Sequence, residues 1–299
     1  MVRQGVVLLL CCFASAGFAQ AHKAEDSGTS WQKAAGGAMA FEVASVREDK
    51  GPFKPPSFAL SADEWFRDPK GRFHADFELP VYIEFAYKIW LAPEEQRTLL
   101  EGLPEWVKTD RFAIEAVAPQ NATKDQYRLM MQALLADRFG LKLHFEQKEL
   151  PVLAMVLVKP PKPGPRLIPH AQGQACDEKP KPETFPSECY SFAAMPGKDG
   201  TWLSGSRATS MDLIGNFIGS LAGSSGEIGR PVVNQTGLTG LWDYTLEAAA
   251  PSQTPSDAQL STGPTMLEAV QDQLGIKLKP ARASVAVPVI DHLERPSDN

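Results

Sequence analysis

Apolar positions along this chain follow two rhythms, strict alternation and a spacing of three or four, and one succession of them occurs twice. Residues 41–47 (FEVASVR) put Phe41 and Val43 on one face and Val46 on the other, which predicts a strand. Residues 73–77 predict a second short strand. Pro80 stands where a first helical turn tolerates it, and Val81, Ile83, Phe85, Ala86 and Ile89 predict an apolar helix. Phe112, Ile114 and Ala116 alternate through a strand over 111–118. The clearest helix spans 124–139. Thr123 and Gln126 form a capping box, and Gly140 supplies the left-handed residue that ends it. Tyr127, Met130, Met131, Leu134, Leu135 and Arg138 make its inner stripe, with Arg138 as the one polar intrusion. Two strands then follow, 141–145 and 152–158, the second apolar throughout and therefore expected to be buried on both faces.

After a Pro-rich stretch the order restarts. Residues 211–221 predict a helix, 231–233 an edge strand, 236–240 a tight turn and 244–248 a strand. A hairpin that sets strand register is the structural reading of this segment. Thr265 with Glu268 is a second capping box, opening a helix that stops at Gly275 before closing strands at 276–278 and 285–290. Leu79, Phe85, Phe112 and Glu115 fall on Met211, Phe217, Tyr244 and Glu247 at a constant offset of 132. Met131, Phe139, Gly140 and Leu143 fall on Met266, Leu274, Gly275 and Leu278 at an offset of 135. The expected fold is α/β of the α+β kind: two tandem repeats of a β-α-β-α-β-β unit, with helices packed on one face of each sheet. Repeat 1 covers 41–158, a Pro-rich linker with a disulfide 159–200, and repeat 2 201–299.

The N-terminus changes the picture. Arg3, the apolar run 6–13 and the small-x-small site Ala19-Gln20-Ala21 predict a signal peptide over 1–21, followed by a disordered polar leader over 22–40. Leu10, not a small residue, precedes Cys11, against a lipoprotein signal. Cleavage leaves Cys176 and Cys189. In an oxidising compartment they read as one disulfide, worth about 3 kcal/mol in the chain-entropy model, with two free thiols as the alternative. No other run approaches membrane-spanning length, so no membrane span is expected after cleavage and the protein should be periplasmic or secreted. The net charge of −6, without a basic run, lacks the footprint of a nucleic-acid binder.

Candidate chemistry is sparse. His74 and Asp76 share a strand face, but nothing nearby completes a zinc site, and no metal or cofactor is expected. His144 is expected to point to solvent. The Gly/Ser stretch 219–229 lacks the Lys-Ser/Thr of a phosphate loop and reads as a mobile loop after a helix. Ser204, Ser206 and Ser210 offer hydroxyls with no partner selected by spacing, and no GxSxG elbow is present. A recognition loop using Arg230, Asn234 and Trp242 is the alternative to the hairpin. Asp291 and His292 close the last strand and join these three as candidate binding residues.

Several stretches together resemble a known family. They are FEVASV from Phe41, LPEW from Leu103, RFAIEA from Arg111, the run from Met131 to Leu143, GRPVVNQTGLTGLWDYTLE from Gly229, and VIDH from Val289 before Glu294-Arg295-Pro296. The chain resembles the exported "soil-associated" proteins of unknown function that form a large paralogous family in acidobacteria. Where that family usually carries Asp after the Arg-Phe pair, this chain has Ala113. Related domains are similar to the extracytoplasmic part of β-lactam-sensor-type membrane metallopeptidases, which implies sensing or binding; the HExxH of a peptidase is missing here. The expectation is a non-catalytic extracytoplasmic binding or sensor module whose partner is an unidentified ligand or envelope protein. The alternatives are a hydrolase and an envelope assembly component.

Overall fold

The computed structural model describes residues 30–91, 93–224, 228–250 and 263–297; the expected signal peptide lies outside them. Within the expected leader, Ser30–Ala34 form a short helix, α1, whose Gln32 amide donates to Gln132 Oε1 at 3.0 Å. The fold is mixed α+β, with helices against three small sheets.

Strands β1 (Val43–Glu48), β2 (Arg72–Glu78) and β3 (Arg111–Val117) form an antiparallel sheet in the order β1-β3-β2. Helices α2 (Leu79–Tyr87) and α5 (Lys124–Phe139) cover one face, and α3 (Pro93–Leu99) and α4 (Trp106–Thr109) lie between them in sequence. Phe73, Phe112 and Ile114 from the sheet meet Leu79, Ile83, Met131 and Leu135 in the first core. Both halves of the Thr123–Gln126 capping box form, and Gly140 closes α5 at φ 58°. The inner stripe is wider than expected: Lys124, Arg128, Leu129 and Phe139 are buried as well, while Arg138 stays partly exposed beside Asp137.

The closing strands differ more. In place of two short strands in each half there is one long one, β4 (Lys142–Leu157) and β10 (Ile276–His292), paired antiparallel along their length. The run Glu146-Gln147-Lys148-Glu149 looks like a break because it is polar. It is the exposed middle of a ribbon. The prolines fit the ribbon because of where their nitrogens face. Leu153 donates its N–H to the Pro231 carbonyl at 2.8 Å, so odd residues of β4 turn their main-chain groups away from β10, as do the even residues opposite them. Pro151, Pro280 and Pro288 all belong to this outward set, where a missing N–H breaks no ribbon bond.

The remaining strands are β5 (Leu167–Pro169), β6 (Phe192–Pro196), β7 (Thr201–Ser210), β8 (Val232–Asn234) and β9 (Leu241–Ala249), with helices α6 (Met211–Ser224) and α7 (Met266–Leu274). A four-stranded sheet runs β5-β9-β7-β6, and its first three members repeat the connection order of β1-β3-β2. Strand β8 pairs parallel with β4 at Leu153–Met155 and so joins the ribbon. The expected hairpin is therefore corrected: β8 and β9 lie in different sheets, and the Gly237–Gly240 turn carries the chain between them. The loop reading of 219–229 is also corrected, since α6 continues to Ser224. Glycine has a packing role there, because a Cβ on Gly219 would stand 3.2 Å from Val232 Cγ2.

The Pro-rich connector docks on the end of α7. Gly164 N–H donates to the Leu274 carbonyl at 2.7 Å, and a Cβ on Gly164 would lie 2.4 Å from Gly275 N. Cys176 and Cys189 are joined in a disulfide. At the far end Arg295 pairs with Asp110 at 2.7 Å and with Glu48, tying the C-terminal segment to the first sheet.

Candidate ligand-binding cleft

A cavity of about 620 Å³ opens between the segment around α3 and the β4–β10 ribbon. Its walls are Leu91, Leu99 and Leu103 on one side and Ala286–Ile290 of β10 on the other, with Leu150, Pro151 and Pro231 beside them. A volume of this size, mostly apolar with a few charged groups, is what small-molecule and peptide sites share. The charged groups here are Glu95, Glu101, Lys148 and Arg230. A smaller cavity of about 140 Å³ adjoins it and shares Leu91, Glu95, Arg230, Pro231 and Ala286. Arg230 thus borders both. Among the described residues its guanidinium has no ion-pair or hydrogen-bond partner, whereas Lys148 is held by Glu146 at 2.9 Å.

The other candidate residues are dispersed. Asn234 Oδ1 accepts from the Thr236 N–H at 3.1 Å and the Thr236 hydroxyl at 2.8 Å, so it shapes the turn. Trp242 is buried in the second core and donates its indole N–H to the Thr239 carbonyl at 3.1 Å. Asp291 lies 2.7 Å from Nδ1 of the exposed His144; that hydrogen bond, then the one with Glu146, raises the imidazole above its ordinary pKa. His292 faces Glu294 at 2.8 Å, with its ring against Gly140. His74 and Asp76 share a face but part company, to Glu115 at 2.8 Å and to Arg111 at 3.0 Å. Ser204, Ser206 and Ser210 all belong to β7, and Ser206 bonds to Thr209.

Sequence reasoning missed a second constellation. His170 Nδ1 lies 2.7 Å from Asp243 Oδ1, and His170 Nε2 lies 3.3 Å from Cys176 Sγ. Asp243 also accepts the N–H of Ala208, which sits at φ 54° where β7 loses register with β9. Arg207 lies beside it, buried, donating to the Ser187 carbonyl at 3.2 Å and bordering a cavity of about 310 Å³. This is the geometry of a thiol, an imidazole and an orienting carboxylate, with the sulfur held in the disulfide to Cys189. An Asp breaking the apolar rhythm of LWDYTLE was its only signal in the sequence.

A part-buried carboxyl links α2 to α3. Glu84 of α2 accepts from the Gln96 amide of α3 at 2.7 Å, and burial raises its pKa to about 7.

A family model described as a protein of unknown function (DUF3738) matches residues 81–293. The chain belongs to the DUF3738 family. No curated protein and no solved structure gives a significant match. The DUF3738 match begins inside α2 and runs to the end of the ribbon, so it contains every residue lining both cavities and the disulfide, and leaves β1 and β2 outside. Among the described residues no helix is long and apolar enough to cross a membrane.

Proposed function

We propose that this DUF3738 protein is an extracytoplasmic, non-catalytic binding or sensor module that holds its ligand in the cleft between α3 and the ribbon. One observation carries this reading: an apolar cleft of about 620 Å³ whose rim presents Arg230, which has no partner among the described residues. A cation beside apolar walls is suited to recognising an amphiphile that bears a negative group. The Cys176–Cys189 disulfide supports residence in an oxidising compartment, as does the resemblance to exported soil-associated proteins. The shared order of β1-β3-β2 and β5-β9-β7, and the two capping boxes, support descent from a duplicated module. Calorimetric titration with cell-wall fragments, glycans and peptides tests the reading, with Val287→Trp as a variant that fills the cleft. Binding that Val287→Trp weakens supports it. Silence across the panel together with turnover of any member overturns it.

A hydrolytic reading is favoured by the Cys176–His170–Asp243 geometry. It requires the disulfide to open. Release of nitroaniline from peptide anilides by the reduced protein, abolished in Cys176→Ser, is its test.

A further inference from the structure

We infer that the cleft takes an extended peptide, added as a fourth strand to the outer edge of β10. The inference rests on the binding reading above and names its ligand class.

In the sheet of order β10-β4-β8, β10 is an edge strand. Its even residues turn their N–H and C=O groups outward, and among the described residues nothing pairs with those of Ala286 and Ile290 or with the Pro288 carbonyl. Side chains alternate across a strand, so a cavity that touches all five consecutive residues from Ala286 to Ile290 meets the edge of β10 as well as a face. Unpaired main-chain groups beside an apolar cavity are what strand addition uses: the backbone gives affinity and flanking pockets give selectivity.

The other edge of the ribbon shows such an addition already made. Glu149 and Ser284 face each other at the ribbon's middle. Counting outward from that pair, Leu153–Met155 of β4 occupy the places that Pro288–Ile290 occupy on β10. On β4 those places carry β8 in parallel register, held by Leu153 N–H to the Pro231 carbonyl at 2.8 Å and Gln235 N–H to the Met155 carbonyl at 2.9 Å. On β10 the matching places face the cleft, where residues 93–103 run as helix and turns and contribute no strand. The ribbon is thus strand-paired on one side and open on the other at equivalent positions.

Charge sets one end of the peptide. Arg230 shares the smaller cavity with Val285 and Ala286, so it sits toward the start of this stretch of β10. A peptide running parallel to β10, as β8 runs to β4, would bring its N-terminal side to Arg230. The occupant is therefore an apolar, β-branched segment with an acidic side chain at its N-terminal end.

The test uses the full mature chain and a pool of blocked hexapeptides that begin with Glu and alternate Val, Ile and Thr. A second pool is N-methylated at alternate residues, which deletes main-chain donors and keeps the side chains. Strand addition predicts slowed hydrogen exchange at the Ala286 and Ile290 amides, at least tenfold weaker binding of the methylated pool, and several-fold weaker binding to Arg230→Gln. Ala286→Pro removes one outward donor at a position class that already holds Pro280 and Pro288, and should weaken binding about as much without altering Tm. Equal binding of both pools, with no protection at Ala286 and Ile290, overturns the strand and leaves the binding reading standing. No binding of either pool at millimolar concentration overturns the peptide; if the glycans and wall fragments are silent too, the binding reading falls with it.

Discussion

Glu149 stands opposite Ser284 at the middle of the β4–β10 ribbon, and the two are 135 positions apart, the same offset that carries Met131 to Met266 and Gly140 to Gly275. The long strands run antiparallel side by side, and that pair marks the middle of their register. Their ends reach into different cores: Leu143 and Ile290 pack on the first, Met155, Leu157 and Ile276 belong to the second. The ribbon is the shared wall on which both sets of helices depend.

That pairing gives a direct test of register. Glu149 and Ser284 belong to the class whose main-chain groups point outward, so they form a non-hydrogen-bonded pair, with Cα atoms roughly 4.5 Å apart. This suits a disulfide. Glu149→Cys with Ser284→Cys should oxidise spontaneously and raise stability by about 2–4 kcal/mol, because the closed loop is long. Mass spectrometry of a non-reduced digest and urea unfolding with and without reductant measure both effects. A pair shifted by one residue, Glu149→Cys with Val285→Cys, should not close.

A second expectation concerns charge inside the first core. Lys124, almost fully buried, reaches Asp63 Oδ1 at 2.9 Å, the Asp63 carbonyl at 2.8 Å and Ser61 Oγ at 3.0 Å. Burial lowers the lysine's pKa and the Asp63 charge works against that shift. Arg128 donates to the Ser61 carbonyl at 3.1 Å from the next turn of α5, so the two cations hold the 61–63 segment against the helix. Removing one partner of a buried pair costs more than the pair contributes, since the other charge stays desolvated. Asp63→Asn should cost about 3 kcal/mol in urea unfolding. Combining it with Lys124→Met should recover part of that loss.

What could be read from the chain, and what could not, follows from how each element is stabilised. The capping boxes at Thr123 and Thr265 were legible because their donors and acceptors sit three residues apart. The ribbon was not: the exposed middle of β4 has no buried face, so the alternation that marks a strand is absent over Glu146–Glu149. Strand β7 was hidden for the opposite reason. Its buried Ser204, Ser206 and Arg207 look like a loop, yet each finds a partner inside, as Ser204 does in the Leu246 carbonyl at 3.3 Å. Arg230 could be named from its segment. The cleft it borders could not, because Leu99 and Ala286 meet only after the whole chain has folded.

Glu84 predicts a pH dependence of stability. Its carboxyl has a pKa near 7 in the folded protein because burial disfavours the anion, against 4.5 for an ordinary glutamate. The folded state therefore holds this proton where the unfolded state releases it. The stability it contributes is complete below about pH 4.5 and is lost as pH rises through about 7. The amount is on the order of 2 kcal/mol. Glu84→Gln keeps the bond with Gln96 and cannot ionise, so it should raise stability at pH 8 and leave it nearly unchanged at pH 4. Thermal unfolding of both proteins across that range decides the matter; parallel curves would show that Glu84 does not titrate in this window.

Two buried tyrosines, one in each core, should respond oppositely to loss of the hydroxyl. Tyr82 donates to the Phe112 carbonyl at 2.6 Å and accepts the Phe77 N–H at 3.1 Å, bridging the neighbouring strands β3 and β2 from α2. Tyr244 of β9 is equally buried, and its hydroxyl has no partner among the described residues. Burial raises the pKa of both phenols, so both stay neutral in the folded protein. For Tyr82→Phe the Phe112 carbonyl and the Phe77 N–H lose a partner in a dry interior, a cost of about 1–3 kcal/mol. For Tyr244→Phe an unsatisfied polar group is replaced by hydrogen, and stability should hold or rise by up to about 1 kcal/mol. Urea unfolding of the two single variants separates the cases, and equal losses in both would mean that the Tyr244 hydroxyl has a partner.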